Sequence, residues 1–309
     1  MIQKRRYSSP SLSPSYSFSS HLLFGIIDTY LLLRMFFIIF GIVWTKIFFS
    51  GIYSIIIYIL LIFIFIIIIG EYLILNSGAD GNVYSYSKYA IKVFKKQHIS
   101  KKECEILRIL LKDKENHNLV PHIYCLFSSM LFSFILMERY KSDLLDYLNK
   151  NFRILNYNKK IYLLQTICMK IEELHKFGIA HRDIKPENIL INNTCDNIEI
   201  RICDFAHAVI PSYSNEFYLD KIGTRQFNAP EITNNKYYNP YISDIYSLGC
   251  MFYVVFAYKM DFTRNDIIEY CDLKKEKGYN IWSLIQNMIH DNPLERPTIK
   301  YVIEYLKKC

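Results

Sequence analysis

The segment His181–Asn188, with the sequence HRDIKPEN, contains three side chains whose types and spacing could transfer a phosphoryl group. The carboxylate of Asp183 could orient a hydroxyl and accept its proton, and the ammonium group of Lys185 could hold the transferring phosphate. The amide oxygen of Asn188 could bind a metal ion. Pro186 stiffens the loop between them. This segment is therefore the candidate centre of a phosphotransfer site.

Other motifs surround this segment, and together they resemble those of the eukaryotic protein kinase family. HRDIKPEN is similar to the family's catalytic loop, which has the form HRDxKxxN. Upstream, Asn76–Val83 resembles the glycine-rich loop, and Tyr89–Lys92 resembles the strand that carries the nucleotide-binding lysine. Downstream, Asp204–Ala206 and Asn228–Glu231 stand where the family has Asp-Phe-Gly and Ala-Pro-Glu. The resemblance covers residues 71–309.

The resemblance implies an ATP site upstream of the catalytic loop. In the family, the lysine that corresponds to Lys92 contacts the α- and β-phosphates and pairs with a helix glutamate. We expect this glutamate to be Glu103, because the apolar residues three, four and seven positions later would place it on the buried face of a helix. Glu105 is the alternative. The other nucleotide-contacting positions that the resemblance implies are Asn76, Gly78, Gly81, Val83, Ala90, Glu138, Tyr140, Asp143 and Leu190.

Individual roles at this ATP site also follow from the resemblance. The backbone of Glu138 and Tyr140 would meet the adenine edge, Asp143 would face the ribose hydroxyls, and Leu190 would lie beneath the adenine. The glycine-rich loop departs from the family pattern at its first position, where Asn76 replaces glycine. Asparagine adopts a positive φ more readily than most residues, so we expect the turn to persist.

In the catalytic region, the resemblance implies that Asp183 is the base and that Lys185 neutralises charge on the γ-phosphoryl group. Asn188 and Asp204 would bind magnesium, whose octahedral preference is satisfied by one or two protein oxygens together with phosphates and water. ATP and Mg²⁺ are therefore the expected cofactors. Ala206 replaces the family's glycine but leaves the Asp204 ligand in place.

Three charged residues are expected to support the catalytic loop. The resemblance implies that Asp244 braces this loop and that Arg296 pairs with Glu231.

Arg182 precedes the catalytic aspartate, so a phosphate on the activation segment, which the resemblance places at residues 204–231, could dock on its guanidinium through charge-assisted hydrogen bonds. We expect that phosphate on Ser212 or Ser214, and we expect Thr224 to position the substrate.

The elements that position these residues can be predicted from the periodicity of apolar residues. From Glu71 onward, short strand-like runs precede segments with helical periodicity. Just before the catalytic loop, a stripe at helical spacing predicts a buried helix that supports the site, with the residues Leu164, Ile167, Cys168, Ile171 and Leu174. The expected fold class is α+β with the bilobal protein kinase architecture. It has a small β-rich N-terminal lobe with one helix, and a larger, mainly helical C-terminal lobe.

The net charge of +8 does not indicate a nucleic-acid binder. The basic groups are short, as at Lys4–Arg6 and Lys95–Lys96, and no aromatic residues alternate with them on a recognisable nucleic-acid fold. We interpret them as solvated surface charge, with attraction to anionic lipid headgroups as the alternative. The eight cysteines form no Cys-x-x-Cys pair, so the sequence predicts neither a zinc site nor a disulfide framework.

An apolar block in residues 21–70 accounts for part of the hydrophobic content of 51%. Its uncharged part, residues 47–70, would form a helix of roughly 36 Å, enough to cross a bilayer core of about 30 Å. The stretch before it is a weaker candidate, because Asp28 and Arg34 would each cost about 2.5–3.5 kcal/mol at mid-membrane. We therefore expect one or two transmembrane helices, of which residues 47–70 are the stronger candidate.

The predicted domain order is a disordered basic and serine-rich tail (1–20), the membrane block (21–70) and a protein kinase domain (71–309). This order predicts an integral membrane protein whose kinase domain faces the cytosol, where ATP is available. The alternative is that the apolar block is translated upstream sequence that the native product lacks, in which case the protein is cytosolic.

The predicted function is ATP-dependent transfer of the γ-phosphoryl group to Ser and Thr hydroxyls of protein substrates. Lys185, two residues after Asp183, favours these acceptors, because tyrosine kinases usually have Ala-Ala-Arg or Arg-Ala-Ala there. The alternative is a membrane-tethered pseudokinase that acts as a scaffold, which the irregular glycine loop and Ala206 favour. A small-molecule phosphotransferase is a third hypothesis, but such enzymes generally lack the Ala-Pro-Glu segment.

Overall fold

An antiparallel sheet forms the first part of the structure, a computed structural model that describes residues 74–77, 81–112, 118–129, 133–194, 197–211, 217–275 and 280–309. The predicted tail, the predicted membrane helices and Gly78 lie outside these residues. The strands of the sheet are β1 (Ile74–Ser77), β2 (Gly81–Tyr86), β3 (Tyr89–Phe94), β4 (Ile123–Ser128) and β5 (Ser133–Glu138). Their order across the sheet is β1-β2-β3-β5-β4.

Strands β2 and β3 form a hairpin whose turn consists of Ser87 and Lys88. Ser87 has a φ of 52°, in the left-handed region that such tight turns use. The hairpin pairs Val83 with Lys92, so the last residue of the predicted glycine-rich loop lies beside the predicted nucleotide lysine. Buried and half-buried residues alternate along β3, which places Lys92 on its buried face.

Helix α1 (Gln97–Lys112) packs against β3, β4 and β5. Its apolar residues recur at helical spacing, so one side faces the sheet and the other faces solvent. Glu103 lies on the buried side with Leu107 and Leu110, whereas Glu105 is exposed.

The rest of the structure is mainly helical and contains a small antiparallel sheet of β6 (Ser142–Asp143), β7 (Ile189–Thr194) and β8 (Asn197–Ile202), in that order. Its helices are α2 (Leu144–Asn151), α3 (Tyr157–Lys176), α4 (Pro230–Thr233), α5 (Pro240–Ala257), α6 (Arg264–Lys275), α7 (Asn280–Met288) and α8 (Ile299–Leu306). The N-terminal sheet with its helix and the helical C-terminal part confirm the predicted α+β class. The predicted stripe lies on α3, where all five of its residues are buried.

Helix α5 forms the centre of the C-terminal core. The Asn239 side chain begins the helix by accepting hydrogen bonds from the backbone N–H groups of Tyr241 and Ile242. Gly249 lets the end of α7 and the residue after it pack closely against α5, since a Cβ at this position would lie 2.8 Å from the Ile289 side chain and 2.9 Å from that of Met288. Among the described helices, α5 alone is long and apolar enough to cross a membrane, but 78% of its apolar window is buried inside the protein. It is therefore a core helix.

Candidate active site

A cleft of about 1100 Å³, part of it open solvent, is lined by residues from the five-stranded sheet, α1 and the small sheet. Ten of the predicted nucleotide or metal residues line it: Val83, Ala90, Lys92, Glu103, Glu138, Tyr140, Asp143, Asn188, Leu190 and Asp204. Several further residues complete its wall, and these include Leu107, Pro121, Ile123, Ile135, Ile202 and Cys203. Their apolar side chains, within runs of the sequence that are strand-like or have helical periodicity, were the signal that could have identified these members of the wall.

Lys92 joins two carboxylates inside the cleft. Its Nζ lies 2.7 Å from Oε2 and 2.9 Å from Oε1 of Glu103, and 2.7 Å from Oδ1 of Asp204. The Lys92 and Glu103 side chains are both more than nine-tenths buried. A buried ammonium group requires such partners, because desolvation would otherwise favour its neutral form.

The charges of this cluster shift its pKa values. Burial alone would lower the pKa of Lys92, but the carboxylates of Glu103 and Asp204 hold it above its ordinary value. Burial raises the pKa of the Glu103 carboxyl to about 7, against the opposing effect of Lys92. Burial would also raise the pKa of Asp204, but Lys92 lowers it below its ordinary value. Lys92 and Asp204 are therefore charged at neutral pH, and Glu103 is the titratable member.

Asp183 is held by a hydrogen-bonded triangle with Lys185 and Thr224. Its Oδ1 accepts from the backbone N–H of Thr224 at 2.7 Å and from the Thr224 hydroxyl at 2.8 Å. Lys185 Nζ lies 3.1 Å from Oδ2 of Asp183 and donates to the Thr224 hydroxyl at 2.8 Å. Burial opposes the charge of Asp183, but Lys185 and Thr224 lower the pKa of its carboxyl below the ordinary value.

Asn188 connects the Asp183 carboxylate to the metal position that the sequence predicts. Its Nδ2 donates to the backbone carbonyl of Asp183 at 2.7 Å and to Oδ2 of Asp183 at 3.1 Å. Because the amide nitrogen makes both contacts, the amide oxygen is the atom left to bind a metal.

The available oxygens fit magnesium. Within the described part of the chain, no three His, Cys, Asp or Glu side chains cluster closely enough to bind a metal by themselves. The Asn188 amide and the Asp204 carboxylate offer two hard oxygen ligands, and both line the cleft. Mg²⁺ typically takes one or two protein oxygens and completes its shell with phosphates and water.

Helix α5 fixes the backbone of the catalytic loop through Asp244. This buried carboxylate accepts from the backbone N–H of His181 at 2.9 Å and from that of Arg182 at 2.8 Å, while Nε2 of His175 lies 2.8 Å from it. Arg182 has a φ of 62° and Asp204 a φ of 65°. Residues other than glycine are uncommon in this region, and such strain persists where surrounding contacts hold it.

The Arg182 side chain is buried and bound by the activation segment. Its Nη1 lies 2.8 Å and 3.0 Å from the two carboxylate oxygens of Asp220, and 2.9 Å from the hydroxyl of Tyr238. Its Nε donates to the carbonyl of His207 at 2.8 Å. Sequence reasoning missed Asp220, although it is a carboxylate only a few residues before Thr224. The serines expected to carry a phosphate, Ser212 and Ser214, lie outside the described residues.

Arg296 and Glu231 form a second buried pair. Arg296 Nη1 donates to Oε1 of Glu231 at 2.6 Å, and Nη2 donates to Oε2 at 2.7 Å. This bidentate contact ties the end of the activation segment to the loop before α8, as the resemblance implies.

Three of the residues predicted to contact the nucleotide also make contacts that belong to the local fold. Gly81 begins β2 where a Cβ would lie 2.5 Å from the carbonyl oxygen of Val93, so close strand approach requires glycine there. Asn76 pairs with Val83 in the sheet. Asp143 caps α2 by accepting from the backbone N–H of Asp146 at 2.8 Å, although it also lines the cleft.

Comparison with known proteins gives one family and distant relatives. The family model of the protein kinase domain matches residues 74–306. Serine/threonine-protein kinase dkf-1 of Caenorhabditis briggsae is 29% identical over 76% of this chain and 33% of its own length. Serine/threonine-protein kinase cds1 of Schizosaccharomyces pombe is 31% identical over 67% of this chain and 47% of its own length. The matched region thus spans less than half of these relatives.

Proposed function

The chain belongs to the protein kinase family, and we propose that it transfers the γ-phosphoryl group of ATP to serine and threonine hydroxyls of proteins. The observation that carries this proposal is the triangle of Asp183, Lys185 and Thr224, which has one anion and one cation around a hydroxyl. The Lys92–Glu103 pair supports it, because this pair is needed in active kinases to hold the phosphates. The relatives are named serine/threonine kinases, which supports the same acceptors.

In the proposed reaction, the oxygen of the acceptor hydroxyl bonds to the γ-phosphorus while the bond from that phosphorus to the bridging oxygen of the β-phosphate breaks, so ADP leaves. Asp183 orients this hydroxyl and takes its proton, which the depressed pKa of this carboxylate allows only as the new O–P bond forms. Lys185 stabilises negative charge on the transferring group. Thr224 fixes both side chains, so the acceptor meets a preorganised site.

Nucleotide binding is proposed to use the cleft. Lys92 would contact the α- and β-phosphates. The N–H of Glu138 is already donated to the carbonyl of His122 at 2.8 Å, so the carbonyl of Glu138 is the group left for the adenine edge. Asn188 and Asp204 would hold Mg²⁺, which would neutralise phosphate charge when bound.

The test compares wild type with Asp183→Asn for phosphate transfer to a mixed serine, threonine and tyrosine peptide pool. We expect a loss of about 10²–10⁴-fold in kcat, the usual effect of removing a general base. Asp261→Asn is the matched control, because Asp261 is exposed and lies outside the cleft. Equal rates for wild type and Asp183→Asn would refute the enzyme function, and phosphotyrosine as the main product would refute the acceptor class.

We further propose, from the sequence alone, that residues 47–70 attach the protein to a membrane with its kinase domain in the cytosol. The apolar length and the absence of charge support this, and the block lies outside the described residues. The test is the intact mass of the native product together with its extraction by carbonate or by detergent. A product that lacks residues 1–70, or one that carbonate releases, would refute membrane insertion.

A further inference from the structure

The guanidinium group of Arg182 is buried beside the catalytic aspartate and has one carboxylate partner among the residues described. The Arg182 side chain is 1% exposed, and that of Asp220 is 46% exposed. The remaining contacts of the guanidinium are neutral: the Tyr238 hydroxyl, the His207 carbonyl and the Tyr218 ring, 4.9 Å away. Since an uncompensated buried charge is strongly unfavourable, Asp220 is the group that keeps Arg182 in place.

Asp220 is itself fixed by its surroundings. The Tyr238 hydroxyl donates to Oδ1 of Asp220 at 2.9 Å while it also contacts Arg182. Tyr218 and Tyr238 pair through two backbone hydrogen bonds of 2.9 Å and 3.0 Å. This short bridge holds the backbone of the activation segment two residues before Asp220. The position of the carboxylate next to the guanidinium is therefore restrained by the backbone as well as by its own hydrogen bonds.

The contact reaches the reacting groups in two ways. Arg182 directly precedes Asp183, so a held Arg182 side chain restrains the backbone that carries the catalytic carboxylate. Asp220 is also in the same segment as Gly223 and Thr224, and Thr224 binds Asp183 at 2.7 Å and 2.8 Å. The activation segment therefore contacts the catalytic loop at both positions.

Lys102 of α1 also interacts electrostatically with this pair. Burial lowers the pKa of Lys102, the nearby Arg182 lowers it further, and Asp220 opposes these effects. One carboxylate thus interacts with two basic groups from two elements, in direct contact with Arg182 and through its field with Lys102. In such a setting, an anion on the activation segment is attracted by both the catalytic loop and α1, and a phosphate would be the usual added anion.

We propose that Asp220 is a positioning residue that supplies this anion from the chain itself, so that the active arrangement of Arg182 and Asp183 needs no phosphate on Ser212 or Ser214. This inference rests on the proposed kinase activity. In this arrangement, the carboxylate of Asp220, which is already in contact with Arg182, takes the place of the regulatory phosphate that the sequence predicts.

The test uses the full chain after phosphatase treatment, with loss of phosphate verified by intact mass. Wild type, Asp220→Asn, Asp220→Glu, Ser212→Ala/Ser214→Ala and the control Asp261→Asn are compared for kcat, for KM of ATP and peptide, and for melting temperature. We expect phosphatase-treated wild type and the double serine variant to keep full activity. Asp220→Asn keeps the size and one oxygen acceptor but loses the charge, so kcat should fall roughly 10- to 100-fold, as for a misplaced catalytic group.

Asp220→Glu should recover most of this loss, because it restores the charge, and KM for ATP should change little in either variant. An unchanged kcat in Asp220→Asn would refute the inference, as would loss of activity in phosphatase-treated wild type or in the double serine variant. If Asp220→Asn fails to fold, the phosphatase and serine measurements still decide whether a phosphate is needed. Failure of the kinase function itself would look different, since wild type would then be no faster than Asp183→Asn.

Discussion

At the scale of single residues, the site is organised around charges that neutralise one another in pairs. Lys92 is shared by Glu103 and Asp204, while Asp183 is shared by Lys185 and Thr224. Each pairing keeps a buried group ionised near neutral pH. The two clusters differ in one respect: the neutral hydroxyl of Thr224 links the second, whereas the side chains of the first are all ionisable.

The Thr224 hydroxyl should therefore matter to the rate more than its size suggests. Thr224→Val removes the donor to Asp183 and the acceptor for Lys185 while it keeps the shape of the side chain. Hydrogen bonds to charged groups contribute about 1.5–3 kcal/mol, so we expect kcat/KM for the peptide to fall roughly 10- to 150-fold. Thr224→Ser keeps the hydroxyl and should stay close to wild type. An unchanged kcat/KM in Thr224→Val would refute a role for the hydroxyl, and an equal loss in Thr224→Ser would show that the hydroxyl alone does not account for the effect.

The pH dependence should identify Glu103. The pKa of this carboxyl is raised by burial to about 7, so as the pH falls below that value it takes up a proton and loses the charge that pairs with Lys92. We expect kcat/KM for ATP to decrease on this acid side, because this parameter reports the free enzyme. Asp183 and Asp204 have lowered pKa values and do not titrate in this range.

Glu103→Gln should be slower at every pH and should lose the acid limb near neutrality. Glu105→Gln is the matched control, since Glu105 lies two positions away on the exposed side of the same helix. An acid limb that persists unchanged in Glu103→Gln would mean that another group titrates there.

Residue types and spacing were enough to select Asp183, Lys185 and Asn188, because these residues lie on one short loop, and the structure brings their side chains together. Glu103 could be chosen over Glu105 because the apolar residues that follow it mark the buried side of a single helix. Asp220 could not be found in this way. Its contact with Arg182 joins residues far apart in the chain, and nothing local distinguishes Asp220 from a solvated surface carboxylate.

At the scale of elements, the activation segment crosses the catalytic loop at Gly223. This glycine has a φ of 77°, and a Cβ would lie 2.5 Å from the carbonyl oxygen of Arg182 and 2.8 Å from the Asn228 side chain. Glycine is required there for two reasons, its backbone conformation and the close approach of the loop. The crossing is what brings the backbone N–H of Thr224 to Asp183.

Gly178 provides the matched control for Gly223. It follows α3 with a φ of 72°, and a Cβ there would have nothing within 4 Å. Gly178→Ala should cost about 1–2 kcal/mol in unfolding free energy for its left-handed backbone alone and leave kcat unchanged. Gly223→Ala should cost a further 1–3 kcal/mol or so from the clash and reduce kcat by about 100-fold. Equal activity in the two variants would contradict a tight crossing at Gly223.

The elements themselves followed from periodicity where one side of an element is buried. The stripe on α3 is such a case. The caps were harder to predict. Asp143 was expected at the ribose, and its carboxylate also begins α2, because an aspartate before a helix can accept from the free N–H groups of the first turn.

At the scale of the whole described molecule, the cleft depends on both parts of the fold. Lys92 comes from the N-terminal sheet and Asp204 from the segment after the small sheet, and Nζ of one lies 2.7 Å from Oδ1 of the other. The C-terminal core holds the catalytic loop through Asp244. A ligand that needs both parts can bind only the folded state, so its affinity adds directly to stability.

Thermal unfolding with Mg²⁺ and ATP should therefore separate binding from chemistry. At 100 times its Kd, a ligand that binds only the folded state stabilises it by about 2.7 kcal/mol, which corresponds to a rise of about 5–10 °C in Tm at this size. ATP or Mg²⁺ alone should give a smaller rise, and Asp204→Asn should abolish the added effect of the metal. Asp183→Asn should retain the full rise, because Asp183 faces the acceptor hydroxyl in the proposed reaction. A loss of the rise in Asp183→Asn would place this carboxylate in nucleotide binding instead, and an undiminished rise in Asp204→Asn would exclude it as the metal ligand.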